Sequence, residues 1–202
     1  MDVTLRFAEA DDSEIVAGYA LRAGAGLFEF LLDGVLPLVG AADLLRLAVI
    51  NGDSVLHYSN AVLAELRSKP VGMILCYAAK DYGIPPIVET LVPRARLDQV
   101  HSILTSRVED SYYVNSLIVD EAARGKGVAR LLLAFASALA EEHGQRALSL
   151  HAWADNEAAV NLYNDAGFAV VREIAVPPAV RLGDTARIML LMKADLPLKA
   201  RA

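Results

Sequence analysis

A single cysteine, Cys76, stands among 202 residues. No internal disulfide can form, and a lone thiol fits a reducing compartment. No run reaches the eighteen or so uncharged apolar residues that a membrane-spanning helix needs. The strongest candidate, Leu131–Ala140, is closed by Arg130 and Glu141, so no membrane partner is expected. Met1-Asp2 opens without a basic n-region or an apolar h-region, which predicts no signal peptide and a cytoplasmic location. Basic excess is missing too. The net charge is −6, which speaks against sequence-independent nucleic-acid binding and leans mildly toward a cationic partner. No grouping of His, Cys, Asp and Glu has metal-ligand spacing, so no metal is expected, and no Ser or Cys nucleophile constellation stands out. Internal repeats and low-complexity tracts are absent as well.

What the chain does have is apolar content, 55% of its residues with a mean hydropathy of +0.37. Either the core is large or a partner subunit covers an apolar surface, which keeps a homodimer open beside an oversized core. The length suits one domain spanning 1–202.

Apolar alternation predicts a first strand at Val3–Phe7, and Ala10 to Ser13 supply N-cap candidates. Glu14 to Leu32 reads as one helix or two, weakened at Gly24 and Gly26, and Ala42–Ile50 as a second short helix. Ser59–Leu66 and Val71–Ala78 form a hairpin pattern. Asp81 to Pro93, rich in Gly and Pro, reads as a loop, followed by a helix over Leu97 and Leu104 that ends near Arg107. Strands at Ala169–Val176 and Arg187–Lys193, split by Pro177-Pro178 and Gly183-Asp184, precede a tail expected to fray. The order predicts a mixed α/β fold of α+β type, with a mostly antiparallel central sheet of about six to seven strands flanked by helices.

Every chemical signature lies in residues 112–168. Tyr112–Val119 is apolar, β-branched and aromatic, as an internal strand should be. Arg124-Gly125-Lys126-Gly127-Val128-Ala129 then opens a long apolar helix. Glycine lets a ligand approach the backbone, and the first amides of a helix lack intrahelical acceptors, so the segment reads as a pyrophosphate cradle. It is no Walker loop, which needs a glycine five residues before Gly-Lys and a Ser or Thr after it. A dinucleotide fingerprint would need a third glycine where Arg130 stands. The plainer reading of such glycines, turn and packing devices, stays beside the cradle.

Arg124, Gly127 and Ala129 occupy the fixed positions of the pattern Arg/Gln-x-x-Gly-x-Gly/Ala. Downstream stand Asn156-Glu157-Ala158-Ala159, Leu162-Tyr163 and Gly167-Phe168. Together these resemble the acyl-CoA-binding motifs of the GNAT N-acetyltransferase superfamily, across Tyr112 to Phe168. The resemblance implies a central strand that splays from the next, leaving a V-shaped cleft for acetyl-CoA as co-substrate. It implies that amides around Leu117 and Val119 pair with the pantetheine arm, and that an amide near Leu117 or Ile118 polarises the thioester carbonyl. Arg124, Gly125, Lys126, Gly127, Val128 and Ala129 would hold the pyrophosphate. Asn156 would contact the pantetheine, Ala159 would let it pass, and Tyr163 would protonate the departing thiolate.

Asn156 and Tyr163 are about two helical turns apart and so share a face. A phenol with a pKa near 10 is protonated at neutral pH. The structural readings remain: Asn156 as an N-cap, Tyr163 as a half-buried helix residue with its hydroxyl wet, Gly167 as a left-handed helix stop, Trp153 as core.

The departure concerns the general base. Some relatives carry a Glu on the central strand, where Tyr113 and Asn115 stand here. His57, Glu65, Asp81, Glu89, His101, Glu109 and Asp110 are all open as distant bases, while His151 sits mid-strand and His143 near a helix end. The expectation is acetyl transfer to a primary amine by direct attack in a ternary complex, with Ala20–Ile50 and Asp81–Asp110 on the acceptor side. A non-catalytic acyl-CoA-binding regulatory module, and a transferase using another acyl group or acceptor, are the alternatives.

Overall fold

The structure, a computed structural model, describes residues 3–180 and 188–199. Its frame is one seven-stranded sheet. The strands are β1 (Val3–Phe7), β2 (Ala61–Leu66), β3 (Lys69–Ala78), β4 (Tyr112–Val119), β5 (Ala147–Trp153), β6 (Ala169–Ala175) and β7 (Ile188–Asp195). They lie in the order β1-β2-β3-β4-β5-β7-β6. Every neighbouring pair is antiparallel except β4 and β5, which run parallel. The mixed, mostly antiparallel sheet predicted from the sequence is therefore present. The β2–β3 hairpin closes through Arg67 and Ser68 at φ 53° and 61°, two positive values whose twist matches that of the flanking strands.

Among the described residues, seven α-helices cover the sheet: α1 (Ser13–Gly24), α2 (Leu27–Leu32), α3 (Ala41–Ile50), α4 (Pro86–Leu91), α5 (Arg94–Thr105), α6 (Val128–Glu142) and α7 (Glu157–Ala166). Strand alternation sends Val62 and Ala64 to one face and Leu63 to the other. On the first face α6 buries Leu132, Leu133 and Ala136 against Ile74, Val114 and Leu148. On the second, α1 and α3 bury Val16, Leu45 and Val49 against Leu63, Leu75 and Tyr113. Farther along, α5 buries Leu97, Val100 and Ile103 against Trp153, Met189 and Leu191. None of the described helices is long and apolar enough to cross a membrane.

Several local expectations need correction. The segment Asp81 to Pro93 is not all loop, because α4 occupies its centre. Proline in the first turn of a helix loses only an amide that had no acceptor, so Pro86 starts the helix it was read as breaking. The region 14–32, read as one helix or two, is two, parted where Ala25 and Gly26 turn left-handed at φ 47° and 96°. The helix that the segment 124–129 opens, α6, begins at Val128, with Gly127 as its cap. The tail is tied down as far as Lys199 by Leu196 N–H to Arg146 C=O at 2.9 Å and Lys199 N–H to Ala166 C=O at 3.1 Å. The break expected at Gly183-Asp184 and the strand start at Arg187 lie outside the described residues.

The central irregularity is between β4 and β5. Tyr112, Tyr113 and Val114 pair with Leu148, Ser149 and Leu150, and there the register ends. Both strands continue, to Val119 and to Trp153, but without a shared ladder. On the other side of β4, Ser116 pairs with Leu75 and Val114 with Cys76, so Asn115 is the extra residue of a bulge. A bulge bends its strand, and this one sits where β4 leaves β5.

Candidate active site

A cavity of about 170 Å³ opens where the two strands part. Asn115, Ser116 and Leu117 line it from β4, His151 and Trp153 from β5, and Asn156, Ala159 and Tyr163 from the start and body of α7. The opposite wall is apolar. Gly24 of α1, Leu27, Phe28 and Leu31 of α2, and Ile103 and Leu104 of α5 form it, so both segments expected on the acceptor side contribute. Among the described lining residues there is no Asp, Glu, Lys or Arg.

The sequence-predicted residues fall into two groups. Leu117, Asn156, Ala159 and Tyr163 share the cavity. Ile118 and Val119 continue β4 along the edge that β5 has left. The cradle Arg124 to Ala129 follows at the strand's end and does not line the cavity. There Gly125 and Gly127 stand at φ 71° and 82°, and a Cβ at either would meet nothing within 4 Å. Val128, Ala129 and Arg130 are the first residues of α6, so their amides have no acceptor within the helix. Arg124 donates from Nε to the carbonyl of Val119 at 3.2 Å, and Lys126 from Nζ to that of Ala122 at 2.6 Å. Both side chains fold onto their own loop. Asp120, just before it, accepts from the Tyr19 hydroxyl at 2.8 Å and from Arg22 at 3.1 Å, which ties α1 to the cradle's approach.

Asn156 caps α7, its side-chain oxygen accepting from Ala159 N–H at 3.2 Å. Gly167 ends the same helix in the left-handed region at φ 98°. Between them Tyr163 is buried, more deeply than the half-exposed reading allowed, and its ring packs 5.6 Å from that of Phe168. Burial disfavours the phenolate and pushes its pKa up to about 12, so the hydroxyl keeps its proton across the neutral range.

One constellation escaped the sequence reading. Nδ1 of His151 lies 2.9 Å from the Tyr113 hydroxyl. The ring of Tyr82 stacks on that of His151, centroids 5.5 Å apart, and its hydroxyl donates to the carbonyl of Ile103 at 2.7 Å. Nε2 of His151 is buried without a hydrogen-bond partner. Burial pulls the imidazole pKa down to about 4, so the ring is neutral near pH 7. Alternation places Tyr113 and His151 on chosen faces of their strands, but no signal in the sequence pairs those two strands.

The distant bases do not gather here. None of His57, Glu65, Asp81, Glu89, His101, Glu109 and Asp110 lines the cavity. Glu65 is held by Arg6 at 2.8 Å, Glu109 by Arg107 at 2.7 Å, and His57 bonds to Ser59 at 2.8 Å.

Residues 48–168 match the family model described as acetyltransferase (GNAT) family. Among curated proteins, GCN5-related N-acetyltransferase 10, chloroplastic, of Arabidopsis thaliana is 34% identical over 137 residues, covering 65% of this chain and 54% of that protein. The chain thus matches about half the length of that relative, and less of the other curated relatives, 28% and 37%. Among solved structures, an N-acetyltransferase from Staphylococcus aureus Mu50 superposes with a TM-score of 0.67 at 21% identity, covering 95% of this chain and 100% of that one. The yncA protein of Salmonella typhimurium, solved with its cofactor acetyl-CoA, superposes with a TM-score of 0.61 at 16% identity, covering 100% and 98%. At these identities the structural likeness is one of fold.

Proposed function

This chain belongs to the acetyltransferase (GNAT) family, and from that premise we propose that it moves an acetyl group from acetyl-CoA to a primary amine by direct attack in a ternary complex. The observation that carries the reading is the parting of β4 from β5 after Val114, with Asn156 and Tyr163 opening onto the gap. The chain's own residues fit the co-substrate. Gly125 and Gly127 leave open space where a Cβ would stand, helix amides follow at once, and the far edge of β4 carries unpaired backbone groups that suit an amide-bearing arm.

Acetyl-CoA supplies the activated thioester. Gly125, Gly127, Val128 and Ala129 would hold its pyrophosphate through backbone amides, with Arg124 and Lys126 adding positive charge. The β4 edge at Leu117, Ile118 and Val119 would align the pantetheine and offer an amide to the thioester oxygen as negative charge develops there. Asn156 would hold the arm beside Ala159. Tyr163, protonated through the neutral range, would donate its proton to the departing sulfur.

The acceptor wall narrows the amine. With apolar side chains on that wall and no charged residue among the described lining, a second charge on the acceptor would be buried unpaired. The reading is therefore a primary amine with an apolar body, in preference to a polyamine or an aminoglycoside. The lone cysteine is buried, consistent with a reducing, cytoplasmic setting.

The test is thiol release from acetyl-CoA against apolar amines, polyamines, amino acids and peptides, with acetyl-CoA binding followed by calorimetry. Release that depends on an apolar amine supports the reading. Tight binding with no release across the panel supports a non-catalytic binding module, the reading favoured by the missing carboxylate on β4. Absence of binding overturns both.

A further inference from the structure

We propose that the acceptor is an arylalkylamine, a single six-membered aromatic ring carrying its primary amine on a short aliphatic tether, and that Phe28 is the residue that selects the ring. The proposal rests on the transferase reading above and narrows its apolar amine to one chemical class.

Several polar groups on the cavity are already engaged. The Tyr82 hydroxyl donates to the carbonyl of Ile103 at 2.7 Å, and the Tyr113 hydroxyl is bonded to His151 at 2.9 Å. Asn115 donates from Nδ2 to the Tyr77 hydroxyl at 3.1 Å and accepts at Oδ1 from Ser116 at 3.0 Å. A hydroxyl or carboxylate on the acceptor would lose its water there and find little in exchange. What remains for the body of an acceptor is largely carbon, much of it aromatic. Phe, Tyr and Trp make up 6% of the chain, yet Phe28, Tyr82, Tyr113, Trp153 and Tyr163 all gather on this cavity.

Phe28 stands apart among these rings. Tyr113 packs against Tyr82 with centroids 4.4 Å apart, Tyr82 against His151 at 5.5 Å, and Tyr163 against Phe168 at 5.6 Å. Among the described residues, no ring packs against Phe28. Backbone sets its place. Ala25 and Gly26 turn left-handed and part α1 from α2. Gly24 then gives the ring a seat that a side chain would fill, since a Cβ there would stand 2.5 Å from Cδ2 of Phe28. The side chain is half-buried and lines the cavity. Aromatic rings pair edge-to-face or offset, and a ring on the acceptor supplies the partner that Phe28 lacks within the protein.

Size agrees. An apolar cavity of about 150 Å³ takes up benzene, and this one measures about 170 Å³. One six-membered ring fits. The tether follows from the layout, because Phe28 stands on the α2 wall and the thioester is proposed at Leu117 on the β4 edge. There the amine nitrogen bonds to the acetyl carbon, the C–S bond breaks and the Tyr163 proton passes to sulfur. The amine proton leaves to solvent, from which Tyr163 is reprotonated.

Thiol release from acetyl-CoA is to be measured with 2-phenylethylamine, 2-cyclohexylethylamine, hexylamine and spermidine, in the wild type and in Phe28→Leu. The wild type should use 2-phenylethylamine best. Phe28→Leu keeps apolar bulk and loses the ring face. It should lower the phenyl-to-cyclohexyl ratio of kcat/KM about two- to tenfold while binding acetyl-CoA as the wild type does. The two amines differ in basicity, but equally in both proteins, so that difference cancels from the comparison. In the wild type saturated with CoA, nuclear Overhauser contacts should join the ring protons of 2-phenylethylamine to those of Phe28, a readout that needs no variant to fold. An unchanged ratio in a folded Phe28→Leu overturns the proposal. So does absence of those contacts while 2-phenylethylamine is turned over, or use of any non-aromatic amine in preference to it. Those failures occur in an active enzyme and leave the transferase reading standing. A wild-type protein that binds acetyl-CoA and acetylates no amine overturns that reading and the acceptor class together.

Discussion

The Tyr113 hydroxyl and Nδ1 of His151 meet 2.9 Å apart, bridging two parallel strands where their ladder ends. One step back on the same face, Ser111 and Ser149 bridge the pair at 2.7 Å between hydroxyl oxygens. The serines close the joined end of the cleft, and the tyrosine–histidine pair stands at its opening. Polar bridging at this seam keeps β4 and β5 registered up to the point where they diverge.

The buried imidazole makes stability depend on pH with a definite sign. His151 has its pKa pulled down to about 4 by burial, against about 6.5 when unfolded. Between those values the unfolded chain binds the proton and the folded one does not, so stability rises with pH through that window and is lost as pH falls across it. The contribution is up to about 3 kcal/mol. Urea unfolding at pH 4 and pH 7 should show it, and His151→Gln should remove that part of the difference.

Tyr163→Phe should lower kcat by about 10²-fold or more while leaving acetyl-CoA affinity unchanged. Because burial pushes the phenol up to about 12, the wild type should also show no alkaline loss of activity where a free phenol would ionise, near pH 10. Unchanged turnover in the variant removes Tyr163 as the acid.

At Gly127 both the conformation and the open space can be tested. Gly127→Ala should cost about 1 kcal/mol of stability, since φ is 82°, and should weaken acetyl-CoA binding because its Cβ enters the space proposed for the pyrophosphate. Gly127→Asp adds a carboxylate facing the proposed pyrophosphate and should weaken binding at least about tenfold. Calorimetry on both variants checks the cradle, and normal affinity in the aspartate variant removes it.

Gly24 lies under Phe28. A Cβ there would stand 2.5 Å from Cδ2 of the ring, so Gly24→Ala must displace Phe28, a wall of the cavity. The expected outcome is an acceptor KM raised about tenfold, with acetyl-CoA affinity unaffected. A change confined to acetyl-CoA affinity would place Phe28 on the other side of the site.

Much of this fold was legible because its signals are local. The glycines at 125 and 127, the cap at Asn156 and the stop at Gly167 each answer a requirement of one turn of backbone. The long apolar face of α6 follows from its own periodicity. Signals of the same local kind also misled, since Pro85-Pro86 read as a break where Pro86 in fact begins a helix. Motif spacing placed Asn156 and Tyr163 together, and the structure sets both on one cavity.

What sequence alone determined is thus most of the elements and the turn, cap and stop positions at Gly125, Gly127, Asn156 and Gly167, each defined within a few residues by dihedral demand or helical period, while the proposed roles of the cradle and of Tyr163 came from a resemblance to a family motif. The partnership of Tyr113 with His151 was decided only by tertiary structure. Those residues lie on strands separated by a loop and by α6, and parallel pairing leaves no turn in the sequence from which its register can be read. The bulge at Asn115 is a property of the β3–β4 ladder, and the uncharged cavity wall is assembled from α1, α2 and α5. Their meeting at one place is a consequence of packing, and no local pattern in the chain encodes it.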